Sequence, residues 1–126
     1  MGNFSKYYNI EEFYCKGKPM PKALIPNGRH LATYILDPIR EATRGPLHVS
    51  SGWRSTWRNR TLKGASKDSF HLYFMAADVW SETLEPEDLY NLILRLRDEG
   101  DIPPCGVRYY PDGRFVHVDT GWIRNW

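Results

Sequence analysis

Apolar residues at Leu89, Leu92, Ile93 and Leu96 follow the i, i+3, i+4, i+7 spacing of one helical face. Pro86 stands where a first helical turn tolerates proline, and Gly100 offers a stop, so an amphipathic helix is predicted between them. A second stripe, Leu31, Tyr34, Ile35 and Ile39, predicts an earlier helix capped by Asn27. Pro38 should kink that helix or end its first part, and Gly45-Pro46 should stop it. Elsewhere the pattern is that of strands. Leu47 to Ser50 reads as a short strand, followed by a Ser51-Gly52-Trp53-Arg54 turn and a short helix from a Ser55 cap to near Gly64. Ala76 to Trp80 reads as the next strand, and Gly106 to Tyr110 and Phe115 to Val118 flank Pro111-Asp112-Gly113 as a hairpin. Residues 1–26, rich in aromatics and proline, predict an irregular arm wrapped on the domain. These elements predict one α+β domain over residues 1–126, with its short strands gathered into one sheet.

The polar positions change the picture. Strand alternation puts Phe115, His117 and Asp119 on one face and Val116 and Val118 on the other. A strand that buries its valines while presenting histidine and aspartate needs a use for the polar face. His71 falls in the loop before a strand and Asp78 within it, so both can converge with His117 across the sheet. Two imidazoles and a carboxylate suit zinc and leave a fourth position open for water.

Composition narrows the class. With 126 residues, 41% apolar and 14% aromatic, the chain has the makings of one folded core. A net charge of +2 is too small to argue for nucleic acid. Arg54, Arg58, Arg60, Lys63 and Lys67 bunch ahead of the histidine, either as a solvated face or as an attraction for an anionic substrate. No stretch has the layout of a signal peptide or of a membrane span, so synthesis in the cytoplasm and a monomer are expected. Met1-Gly2 superficially resembles a myristoylation start but lacks a second anchoring signal. Cys15 and Cys105 have no paired spacing and are expected as free buried thiols. His30 and His48 are expected to be packed or solvated.

The segment Ser69-Phe70-His71 through Asp78 resembles the Ser-x-His-x6-Asp signature of the M15 zinc peptidases, the D-alanyl-D-alanine carboxypeptidase and murein endopeptidase superfamily. Val116-His117-Val118-Asp119 is similar to that family's closing strand. Val49-Ser50-Ser51-Gly52-Trp53-Arg54-Ser55 looks like its V-x-S-G-Y-R-S block, with Trp53 where tyrosine is usual. Asn59 and Gly64 through Ser69 match the run that follows, and Glu12-Phe13-Tyr14-Cys15 is similar to the arm of small phage and bacterial members. Gly106 to Pro111 and Gly121 to Trp126 resemble the end of the murein endopeptidase branch.

The resemblance implies a hedgehog/DD-peptidase-like fold, with a central, mostly antiparallel sheet and helices on one side. It implies one Zn2+ held by His71, Asp78 and His117, peptidoglycan peptides as substrate, and action at the cell wall, as in a phage endolysin or a virion-associated enzyme. The bond would be D-Ala-D-Ala, D-Ala-diaminopimelate or L-Ala-D-Glu. Arg54 would pair with the scissile carbonyl or a substrate carboxylate, as a planar, permanently charged fork can. Ser69 either holds the ligand loop or is an ordinary loop residue. Two positions depart from the family. Phe74 replaces a usual glycine, implying a reshaped loop or a bulky wall on the cleft. Arg114 stands where many members carry an acidic general base three residues before the last histidine. Asp119, or second Asp112, would then take the proton, or the base would come from elsewhere; Asp119 would in that case orient His117 instead. The rival reading is a non-catalytic, zinc-stabilised cell-wall-binding or virion module.

Overall fold

The structure, a computed structural model, describes residues 2–61, 69–121 and 124–125. Strands β1 (Leu47–Ser51), β2 (Ala76–Ser81), β3 (Gly106–Tyr110), β4 (Phe115–Asp119) and β5 (Arg124–Asn125) form one sheet in the order β1-β2-β4-β3-β5. The first four pair antiparallel, and β5 runs parallel beside β3. With the helices this is the α+β class expected; β5 lies beyond the strands that the pattern predicts. The register Asp78↔His117↔Arg108 and Ala77↔Val118↔Val107 separates the two faces. Leu47, Ala77, Val79, Val107, Val116 and Val118 are buried and share one core with Ile39, Leu89 and Ile93 from the helices.

Helix α1 (Ile25–Leu31) begins two residues before Asn27, so Asn27 is not its cap. Pro26 fits the first turn instead, and the Asn27 amide donates to the Tyr73 carbonyl oxygen at 3.1 Å. A π-helical turn over Ala32–Leu36 leads into α2 (Asp37–Thr43), with Pro38 in its first turn. Proline thus divides this helix into two parts, as its missing N–H requires. Arg44, at φ 55°, ends α2 one residue before Gly45. Ser55 Oγ accepts from the Arg58 N–H (3.1 Å) ahead of α3 (Thr56–Thr61). The expected end near Gly64, with Lys63 and Lys67, lies outside the described residues. Helix α4 (Pro86–Asp98) buries Leu89, Ile93 and Leu96. Its Glu87 and Asp88 sit in the first turn and Arg95 and Arg97 in the last, matching the helix dipole, and Gly100 at φ 83° follows it. No helix among the described residues is long and apolar enough to cross a membrane.

The N-terminal arm contributes core rather than cover. Phe4, Tyr8, Phe13 and Met20 are buried with the sheet and helices. The Asp37 carboxylate accepts from the Ser5 hydroxyl and the Lys6 and Tyr7 N–H groups, and the Tyr8 hydroxyl donates to Leu47 O at 2.8 Å. Because α1 starts at Ile25, the arm ends at Leu24 rather than at residue 26. Phe74 belongs to the same cluster. It is fully buried, stacks on Phe4 at 5.8 Å, and its ring lies where a Cβ on Gly28 would be. The expected cleft wall is therefore corrected to a core residue. Its φ of 57° is the left-handed conformation that glycine would favour. A non-glycine residue there costs about 1–2 kcal/mol, which burial of the ring, worth about 1.5–3 kcal/mol, offsets. Cys15 and Cys105 are both free and buried, and burial pushes the Cys105 thiol up to about 11.

Candidate metal centre

The polar face of the sheet is organised by a bulge. Between Val49 and Ser51 the β1–β2 register shifts, and Ser51 rather than Ser50 comes opposite Asp78. Ser50 Oγ donates to Asp78 O at 3.2 Å, while Ser51 Oγ accepts from Arg54 Nε at 3.1 Å. The chain then turns at Gly52, whose Cβ, if present, would lie 2.8 Å from Phe13 Cα. That close approach requires glycine. Trp53 N–H donates to Phe13 O at 3.0 Å and fixes the turn on the arm.

The turn holds the first histidine at two points. Arg54 N–H donates to His71 O at 3.1 Å, and His71 Nδ1 lies 2.7 Å from Gly52 O. Ser69 Oγ caps the short turn Phe70–Tyr73 by accepting from His71 N–H at 3.2 Å. A carbonyl oxygen only accepts, so Nδ1 carries the proton and Nε2 presents a bare lone pair. Nε2 is buried, without a hydrogen-bond partner among the described residues, and only 3.3 Å from Asp78 Oδ1. Burial holds the His71 pKa below its ordinary value despite the neighbouring Asp78, so the ring is neutral. A lone pair facing a carboxylate oxygen at this distance calls for a cation between them.

Asp78 is the hub. Its Oδ1 also lies 3.1 Å from His117 Nδ1, and its Oδ2 accepts from Arg54 Nη2 at 3.0 Å. Burial works to raise its pKa, but the His117 hydrogen bond and the adjoining His71 ring outweigh that and hold it well below the usual carboxylate range. On the far side of the second ring, His117 Nε2 meets Asp119 Oδ2 at 2.8 Å, and Asp119 Oδ1 accepts from Gly121 N–H at 3.1 Å. Burial lowers the His117 pKa, yet Asp119 and Asp78 together hold it above its ordinary value. Asp119 is wholly buried, and a Cβ on its partner Gly106 would stand 2.7 Å from Oδ1, so only glycine leaves room for the carboxylate.

His71, Asp78 and His117 each bring one ligand atom to a cluster whose atoms all lie within 4.8 Å of one another. These donors, nitrogen twice and oxygen once, fit a zinc ion with an open position. Arg54 borders the cluster with its side chain 15% exposed. Sequence reasoning missed the Gly52 carbonyl, Ser51, Gly106 and Arg108. Arg108 pairs with His117 across β3 and β4, and its guanidinium lies 4.5 Å from the Tyr110 ring centroid. Hairpin register could have found Arg108; the bulge and the carbonyl leave no sequence signal. Asp112 lies exposed in the β3–β4 turn, and Arg114 pairs with Glu85 at 2.9 Å, both groups largely exposed. His48 pairs with Glu82, and the His30 ring packs against Tyr34 at 4.9 Å.

The peptidase M15 family model matches residues 6–119 of the chain. The chain is 35% identical over 88 residues to peptidoglycan L,D-endopeptidase MepK of Escherichia coli (strain K12), covering 67% of this chain and 45% of that protein. It is 32% identical over 84 residues to the probable peptidoglycan L,D-endopeptidase MepK of Haemophilus influenzae, covering 64% of this chain and 42% of the other. The chain thus spans less than half the length of these curated relatives. No solved structure matches it.

Proposed function

Because the chain belongs to the peptidase M15 family, we propose that it is a zinc-dependent endopeptidase that hydrolyses a peptide bond between an L- and a D-configured centre in peptidoglycan stem peptides or cross-links. The relatives named L,D-endopeptidases favour that bond over D-Ala-D-Ala. The observation that carries the reading is the bare, buried Nε2 of His71 set against Asp78 Oδ1. Zinc held by His71 Nε2, Asp78 and His117 Nδ1 would activate a water and polarise the scissile carbonyl.

The chain's own residues do the rest. The Gly52 carbonyl locks the tautomer of His71, and Asp119 locks that of His117 by accepting from Nε2. Of the two roles open for Asp119, orientation fits best, since its oxygens already engage Nε2 and the Gly121 N–H, away from Nδ1. Arg54, braced by Ser51 and Asp78, keeps N–H groups for the substrate's carbonyl oxygen or a stem-peptide carboxylate. Incubation with muropeptides, with masses of the products read before and after chelation and zinc add-back, tests this. A zinc-reversible cut at an L,D bond is expected. Zinc binding without any cut would favour the non-catalytic cell-wall module, for which the exposed Arg114–Glu85 pair at the usual base position speaks.

A further inference from the structure

One register step from the metal cluster, the same face of the sheet carries a row of rings. Asp78 pairs with His117, and Trp80 and Phe115 each lie one residue beyond the Val79–Val116 pair. His48 pairs with Trp80 on β1, and Tyr110 pairs with Phe115 on β3. His48, Trp80, Phe115 and Tyr110 therefore cross four strands side by side, about 6.5–7 Å along β2 from Asp78. The rings are ordered in pairs: His48 stacks on Trp80 at 4.4 Å and 28°, and Tyr110 on Phe115 at 4.7 Å and 22°. Glu82 holds the His48 ring, which steadies the indole against it. Trp80 nonetheless remains 41% exposed. It walls a pocket of about 570 Å³ whose other lining includes Ser81, Glu82, Thr83, Glu85 and Arg114.

We infer that this shelf and its Trp80 pocket bind the glycan strand of the substrate, one N-acetylhexosamine ring lying flat on the indole. Resting on the peptidase reading for its choice of sugar, the inference extends the same site. An exposed indole offers a flat apolar face, and the exposed Glu82, Glu85 and Arg114 beside it, although paired with His48 and with each other, keep further acceptor and donor positions for a ligand's polar rim. A pyranose has that shape, apolar C–H groups on its face and hydroxyls at its edge. A lipid surface or an apolar protein partner would strip water from the exposed Glu82–His48 and Glu85–Arg114 pairs and return no hydrogen bond, at a cost. Continuity supplies the rest. Stem peptides are covalently attached to the glycan, so a peptide held over the His71, Asp78 and His117 cluster brings its sugar towards the adjoining row.

Titration calorimetry with a β-1,4-linked N-acetylglucosamine tetramer, which carries no peptide, tests the inference directly. The wild-type chain should bind it saturably, and Trp80→Ala should weaken binding by about tenfold or more, a change of about 1.4 kcal/mol per decade. Trp80→Phe should keep part of the affinity. Trp57→Ala, at the exposed tryptophan of α3 (70% exposed), should keep all of it. If Trp80→Ala does not fold by circular dichroism, Trp80→Leu replaces it, retaining bulk on the strand without a flat ring. In kinetics, the ratio of kcat/KM on intact peptidoglycan to that on glycan-free stem peptide should fall about tenfold in the Trp80 variant. No binding by the wild type, equal binding by Trp80→Ala or Trp80→Leu, or equal loss in Trp57→Ala overturns the assignment. Calorimetry does not depend on turnover. A chain that binds the tetramer through Trp80 but cuts nothing keeps this inference and sinks the peptidase reading; one that cuts stem peptide but ignores the tetramer does the reverse.

Discussion

The two faces of the central sheet are built from the same strands and obey different rules. On the core face, Ala77, Val79, Val107, Val116 and Val118 are fully buried and make no demand beyond volume. On the other face, Asp78, His117 and Asp119 are buried as well, yet each needs a named partner at a fixed atom. Apolar burial is non-directional and spreads its stabilisation over many contacts. A buried charge is costly unless paired, so the polar face concentrates its energetics in a few oxygens and nitrogens. The core face should therefore fail gradually and globally, the polar face locally and completely.

The widest separation comes from one variant on each side. His71→Ala or His117→Ala removes a proposed ligand atom and is expected to abolish both bound zinc and turnover, with the fold retained. Ile93→Ala, in the apolar core, should lower the unfolding free energy by about 2–5 kcal/mol while the folded fraction still binds one zinc per chain. Elemental analysis beside denaturant melts reads both. Full zinc content in all variants would end the ligand assignment. Zinc loss in Ile93→Ala at full folding would show that the two faces are not independent.

Arg54 sharpens the comparison, because it touches the cluster without being a ligand atom. Arg54→Ala should reduce turnover by about 10²–10³, the scale of a lost oxyanion donor, with zinc retained. Arg54→Lys should restore only part, since a point charge cannot bond both Ser51 and Asp78 as the fork does. A wild-type rate in Arg54→Ala would remove the residue from the chemistry.

Legibility in the sequence divides along the same line. The valine positions and the α4 stripe were readable because period alone decides which way an apolar side chain points. That His71, Asp78 and His117 come together was readable by their resemblance to a signature, and period placed His117 on the polar face. What the pattern missed depends on a third dimension. Asn27 was displaced as a cap because the preceding turn at Lys22–Leu24 runs straight into α1, and its amide was claimed by Tyr73. Phe74 went to the core because Gly28 leaves a space for its ring. The bulge at Val49/Ser51 and the Gly52 carbonyl set the orientation of Arg54 and His71, and neither has a side-chain signature. Gly106 acquires meaning only once the register places it against Asp119.

Asp119 gives the smallest expected effect and the finest test of the polar face's rule. Its Oδ2 receives the His117 Nε2 proton and its Oδ1 receives the Gly121 N–H, so both oxygens act as acceptors in a wholly buried position. An asparagine in its place would offer one acceptor oxygen and one NH2 group in the same volume. That amide satisfies Gly121 or His117, but not both, and, being neutral, no longer favours a proton on Nε2. The ring can then shift tautomer and withdraw the Nδ1 lone pair from the metal. Asp119→Asn should therefore cost about 10–100-fold in zinc affinity or activity, the range for a group that orients a ligand. Were Asp119 the general base, its loss would instead cost about 10²–10⁴-fold in rate with zinc affinity intact. Measuring zinc affinity by competition with a chelator, alongside kcat at saturating zinc, tells the two apart. Weakened affinity with kcat largely recovered at high zinc supports orientation, whereas unchanged affinity with a collapsed kcat would transfer Asp119 from holding the site to running the reaction.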